Sequence, residues 1–84
     1  MPTTDDIAGK RTTLDAVPRD LTVVIANVAG ERSFRRRLME MGLVPGTKVT
    51  PVNIAPLGDP IEIEVRGGRL SIRRSEAARV AVTP

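Results

Sequence analysis

Ile61-Glu62-Ile63-Glu64-Val65-Arg66-Gly67-Gly68-Arg69-Leu70-Ser71-Ile72 is the stretch that decides the fold. Apolar residues fall on every second position from Ile61 to Val65, with charged residues between them, and Leu70 and Ile72 repeat the pattern. This two-residue period belongs to strands buried on one face. Between the runs lies Gly67-Gly68, a dipeptide that tolerates positive φ at both central positions of a type I′ turn. A hairpin is predicted, with Gly67 and Gly68 as its loop. Val65 then faces Leu70, Ile63 faces Ile72, Glu62 faces Arg73, and Arg66 meets Arg69 at the tip. A one-residue slip would expose every aliphatic side chain, so the alternation restricts the pairing.

Upstream, residues 47–54 (Thr47-Lys48-Val49-Thr50-Pro51-Val52-Asn53-Ile54) form another strand whose alternation changes phase at Thr50-Pro51. A proline that cannot donate to the ladder, at a phase change, predicts a β-bulge or an edge. Residues 21–28 are β-branched or apolar at nearly every position and read as a central strand partly covered on both faces. Downstream, residues 75–78 resemble a capped helical turn and residues 79–82 a short closing strand. Residues 1–11 carry no periodicity and read as a tail. Thr12 to Val17 is expected to make one turn, with Thr13 capping and Leu14 and Val17 packing inward before Pro18 ends it.

From Glu31 the period becomes helical. Phe34, Leu38 and Met41 share one face and are the predicted core contacts, with Arg35, Arg36 and Glu40 pointing away. Met39 lies off that face. Gly42 supplies a left-handed C-terminal stop, Leu43 can fold back over the last turn, and Pro45 prevents continuation. Glu31 with Arg35 and Arg36 with Glu40 are opposite charges four apart.

The order strand, helix, strand, hairpin, turn, strand fits a mainly β fold, a small SH3-like five-stranded barrel whose last strand returns to the first. The competing architecture is an open sheet with the helix on one face.

Composition narrows the function. The chain has 84 residues and a net charge of +3, from 13 basic residues (all arginine except Lys10 and Lys48) against 10 acidic ones. Its length makes one small domain. Cysteine, histidine, tyrosine and tryptophan are absent, which removes thiol chemistry, the usual zinc, copper and iron ligands, and the commonest general base. Without a glycine-rich phosphate loop either, an enzyme is the weakest reading and no cofactor is expected. The longest apolar run, residues 23–26, is too short to cross a bilayer, so the chain is expected to be cytoplasmic.

Three segments then carry a resemblance. Arg37-Leu38-Met39-Glu40-Met41-Gly42-Leu43-Val44-Pro45-Gly46, Ala55-Pro56-Leu57-Gly58-Asp59-Pro60-Ile61-Glu62-Ile63 and Leu70-Ser71-Ile72-Arg73-Arg74-Ser75-Glu76-Ala77 resemble, in order and spacing, the FeoA family of ferrous-iron transport accessory proteins. The likeness runs over about residues 13–82. In that family the helix ends in Leu-Gly-Leu/Met-x-Pro-Gly, an Ala-Pro-Leu-Gly-Asp-Pro loop follows, and an Arg-x-x-Glu-Ala turn comes after the hairpin. Pro18-Arg19-Asp20 departs from a frequent Pro-Gly-Glu. The resemblance implies an SH3-like barrel acting with FeoB, the membrane transporter for ferrous iron that carries a cytosolic GTPase domain. The chain would then meet the membrane only through the transporter. Similar modules form the C-terminal domain of metal-dependent repressors, but the winged helix of those proteins has no counterpart here.

Candidate partner contacts follow from exposure. Leu57 is an apolar residue at the tip of a loop stiffened by Pro56, Gly58 and Pro60, with Asp59 able to accept hydrogen bonds from loop amides. Rigidity alone also explains that loop. Met39, with Arg35 and Arg36, is the candidate on the helix. Leu38, Gly42, Pro45, Gly46, Gly67 and Gly68 are assigned to structure, and Arg73, Arg74 and Glu76 are expected to close the barrel by ion pairs. For metals the chain offers only carboxylates and carbonyls, hard donors that hold ferrous iron poorly, so no iron site is expected. Nucleic-acid binding is the alternative class, because small basic barrels often bind RNA. Such barrels stack bases on aromatic side chains, however, and Phe34 is the only aromatic residue.

Overall fold

The computed structural model describes residues 12–84; the tail expected over residues 1–11 lies outside them. Six antiparallel strands form one curled sheet in the order β1-β6-β2-β3-β4-β5. They are β1 (Thr12–Thr13), β2 (Val23–Val28), β3 (Lys48–Ile54), β4 (Ile61–Val65), β5 (Gly68–Ile72) and β6 (Val80–Thr83). Helix α1 (Arg32–Glu40) joins β2 to β3, α2 (Arg74–Ala77) joins β5 to β6, and a 3-10 turn (Leu14–Ala16) follows β1.

The closing strand pairs as expected. β6 lies against β2, with Ile25 opposite Val82 and Val28 opposite Val80. Two-residue β1 adds a sixth strand on the other side of β6, so the barrel-like sheet ends at β1 and β5 without closing on itself.

Bulges bend this sheet and correct its phase. In β2 the register skips Ala26, which lets Val23, Ile25 and Val28 all point inward although the last is out of step with the others. In β3 the skipped residue is Val52, between Pro51 and Asn53, so the phase change predicted at Thr50-Pro51 is a bulge and not an edge. Pro51 is harmless there. Its carbonyl accepts the Asp20 N–H at 2.7 Å, so its missing donor faces the approach to β2, beyond the Val23–Val49 and Val24–Lys48 pairs. The turn before β2 closes through Leu21 N–H to Pro18 O, with Asp20 at φ 70.

The hairpin forms, but in a different register. Val65 opposes Gly68, Ile63 opposes Leu70 and Ile61 opposes Ile72, which makes Arg66 and Gly67, at φ 53 and 77, the loop residues. Both registers keep the aliphatic residues on one face, so alternation cannot separate them. The predicted one sets Ile61 against Arg74; the observed one pairs all of β4 with all of β5 and frees Arg74 to start α2. Like charges also separate at the tip. Arg69 faces Glu64 and its guanidinium lies 3.9 Å from the Glu62 carboxylate, so the expected Glu62–Arg73 pair does not form.

The core is aliphatic: Val23, Ile25, Leu38, Leu43, Val49, Ile63, Val80 and Val82 are each 1% exposed or less, with Leu14 and Val17 joining from the 3-10 turn. Thr13 does not cap that turn through a backbone amide; its hydroxyl donates to the Asp15 carboxylate. The C-terminus of α1 explains why Leu43 is inside. Gly42 turns at φ 99, Gly42 N–H reaches Met39 O and Leu43 N–H reaches Leu38 O, both at 3.0 Å, a Schellman closure. The chain therefore reverses and Leu43 occupies the place beside Leu38 predicted for Met41, which is left exposed. Phe34 is half-buried at the core margin.

Candidate functional site

Two surface features hold the residues predicted to meet a partner. The first is the outer side of α1, where Arg35, Arg36 and Met39 are exposed. Met39 and Arg35 stand between two hollows. One, of about 420 Å³, is lined by Arg32, Arg35, Arg36, Met39, Glu40 and Val44; the other, of about 340 Å³, by Asn27, Val28, Ala29, Arg35, Met39 and Pro45. Val44 and Pro45 are held there because residues 43–47 are strapped to β2, through Gly46 N–H to Ile25 O at 2.8 Å and Ile25 N–H to Thr47 O at 2.9 Å.

The charge on this face is unbalanced. Neither Glu31–Arg35 nor Arg36–Glu40 closes to ion-pair distance, contrary to the expectation from their spacing. Among the described residues the only arginine of α1 in an ion pair is Arg37, whose guanidinium meets Glu76 at 2.7 Å. Glu76 also accepts the Arg73 N–H at 2.8 Å at the start of α2. The expected closure by Arg73, Arg74 and Glu76 thus changes partners: Glu76 pairs across to α1, while the Arg73 side chain has no ion pair among the described residues.

The second feature is the loop of residues 55–60. Gly58 N–H returns to Ala55 O at 2.7 Å and Ala55 N–H to Pro60 O at 3.1 Å. Asp59 does not cap its own loop; its carboxylate accepts the Arg74 N–H at 3.0 Å, and the Arg74 guanidinium reaches the Gly58 carbonyl at 3.5 Å. Gly58 suits this turn, because φ is +84 and a Cβ would sit 3.0 Å from the Arg74 guanidinium, which would have to shift. Leu57 projects from this braced loop and is 95% exposed.

Beside it lies a hollow of about 520 Å³ lined by Val17, Pro18, Ile54 and Arg74 with Asp15, Ala16 and Arg19. Of these, Ile54 escaped the sequence reading. Its position after a phase change was the signal: the bulge at Val52 sets Ile54 opposite buried Ile61, on the inner side of the sheet, but at the end of β3, where it stays 37% exposed. Arg32 and Val44 were missed for a different reason: the hollow they line exists only once residues 43–47 pack beside α1. No described hollow is lined by residues from both the helix set and the Pro56–Asp59 set.

No group of three or more acidic side chains is placed to hold a metal ion among the described residues. Phe34 is flanked by the guanidinium groups of Arg37 at 5.6 Å and Arg79 at 6.0 Å from the ring centre, an arrangement that occupies the ring electrostatically. No described helix is long and apolar enough to cross a membrane.

Residues 12–84 match the FeoA domain family. This chain belongs to the FeoA family. A FeoA protein from Chlorobium tepidum, solved in solution by NMR, is 40% identical and superposes with a TM-score of 0.80 over 86% of this chain and 69% of its own. The crystal structure of FeoA from Stenotrophomonas maltophilia in complex with zinc, described as a prokaryotic SH3 domain protein, is 35% identical, with a TM-score of 0.74 over 84% of this chain and 88% of its own. A fusion protein of Fe(2+) transport protein A and the Fe(2+) transporter FeoB from Porphyromonas gingivalis is 42% identical over 59 residues. That match takes in 70% of this chain and 7% of the fusion protein. Membership of the FeoA family agrees with the SH3-like architecture built above from strand order and register.

Proposed function

We propose that this FeoA-family chain is a non-enzymatic accessory protein of ferrous iron uptake, working in the cytoplasm by direct contact with a FeoB-type transporter. The observation that carries the reading is the relative in which a FeoA segment and FeoB share one polypeptide. Covalent joining holds two modules at high effective concentration, which favours pairs that touch when they are separate. The residues assigned to contact are Met39, Arg35 and Arg36 on α1 and Pro56, Leu57, Gly58 and Asp59 in the β3–β4 loop. The transporter surface they meet is its cytosolic GTPase domain.

The test is capture of that domain from the cognate FeoB by the immobilised chain, with and without guanine nucleotide. Retention in at least one nucleotide state is expected. Absence of retention in every state, by a chain shown to be folded, removes the reading.

A further inference from the structure

We infer that the hollow on the outer side of α1 receives an acidic segment of a partner protein, its carboxylates meeting Arg32, Arg35 and Arg36 while an aliphatic side chain seats against Met39 and Val44. This rests on the reading that the chain works by protein contact, and it names the chemistry of what is contacted.

Local physics disfavours these arginines in the free chain. Arg32 opens α1, and a cation at that end opposes the helix dipole, with the N-cap Glu31 the one acid beside it. Arg32 also stands three and four residues before Arg35 and Arg36, spacings at which like charges repel. No carboxylate among the described residues lies within ion-pair distance of any of the three. Positive charge is thus concentrated on this face with no described carboxylate in direct contact. Carboxylates inserted among the guanidinium groups remove the repulsion, satisfy the dipole and can engage the planar forks in paired hydrogen bonds.

The rest of the lining selects a peptide over a bilayer. The hollow is shallow and open to solvent, about 420 Å³, with the half-exposed Met39 and Val44 as its apolar lining, room for one aliphatic side chain beside the arginines. Glu40 lies at the same end as Met39 and Val44. It repels acids there and orients the occupant, with acids toward Arg32 and the aliphatic group toward Val44. A sheet of anionic headgroups would meet Glu40 as well as the arginines.

The test uses the full-length isotope-labelled chain and a short synthetic peptide in which Asp and Glu flank a leucine. Two control peptides replace the acids by their amides or the leucine by serine, and vesicles of phosphatidylglycerol in phosphatidylcholine form a further arm. The acidic leucine peptide is expected to shift the amide resonances of Arg32, Arg35, Arg36, Met39 and Val44. Its affinity should fall on the order of tenfold in the double variant R35E/R36E, with the fold retained by circular dichroism, and should weaken as salt is raised. The M39S variant and the serine peptide should each bind more weakly than the parent pair. Shifts elsewhere, equal binding of the amide peptide, or α1 shifts with vesicles and none with peptide overturn the inference. Capture of the FeoB domain separates the two readings. R35E/R36E retaining the transporter like the parent chain removes this hollow and leaves the contact; peptide bound at α1 by a chain that captures no transporter does the reverse.

Discussion

The carboxylate of Asp59 accepts the backbone N–H of Arg74 at 3.0 Å, joining the loop that carries the exposed Leu57 to the first turn of α2. The bond crosses from the β3–β4 connection to the segment after β5, and the Arg74 guanidinium doubles it by reaching the Gly58 carbonyl. Leu57 is therefore held out on a stiff support. Asp59→Ala removes the acceptor and frees both segments. It should cost about 1 kcal/mol, below the usual range for a hydrogen bond to a charged group because the site is exposed, read as a lower urea midpoint with an unchanged slope.

The hairpin register makes a sharper prediction at its two glycines. Gly67 sits at φ +77, whereas Gly68 has an ordinary backbone conformation and only the Val65 carbonyl, at 3.8 Å, near where a Cβ would be. Gly67→Ala should lose about 1 kcal/mol, and Gly68→Ala should change stability by only a few tenths. In a Gly67-Gly68 loop both replacements would be costly, so thermal melts of the pair read the register directly.

That register also shows where the sequence stops being readable. The alternation of Ile61, Ile63, Val65, Leu70 and Ile72 specifies which face is buried, and two registers two residues apart satisfy it equally; the choice depends on where α2 must begin. The phase change around Pro51 was legible because a proline marked it, while the bulge at Ala26 was not, since Val24, Ile25 and Ala26 offer no break. Gly42 announced the end of α1, but the reversal it makes possible exchanged Leu43 for Met41 in the core. At the candidate site Met39 was readable from the helical period alone. Arg32 and Val44 acquire meaning only from the packing of residues 43–47 beside α1.

Core truncation tests the buried face itself. Ile63 is fully buried at the centre of β4, opposite both Pro51 and Leu70. Ile63→Ala should destabilise by about 2–5 kcal/mol, the range for removing large aliphatic groups from a packed core. A domain of this size has little reserve, so the loss should appear as a large fall in melting temperature.

Glu76 and Arg37 should respond unequally. Their contact is 2.7 Å, with the Arg37 side chain 61% and the Glu76 side chain 18% exposed, so the ion pair alone contributes less than about 1 kcal/mol and is screened by salt. Glu76 has a second duty, since it also accepts the Arg73 N–H that opens α2. Glu76→Ala should therefore destabilise more than Arg37→Met. A double-mutant cycle at low and high salt should show a coupling term that shrinks with salt and a Glu76 term that does not.

Leu57 separates contact from stability. At 95% exposure it buries almost nothing in the free chain, so Leu57→Ser should leave the melting temperature within experimental error, as surface substitutions usually do. An apolar group held on a braced loop loses little conformational freedom when a partner covers it, which is the condition for an anchor. The same variant should weaken capture of the FeoB domain and lower iron uptake in cells that depend on this chain. Its effect should add to that of Met39→Ser if the loop and α1 contact the transporter independently, which the double variant reads directly. Uptake equal to that of the parent chain would confine the loop to a structural role.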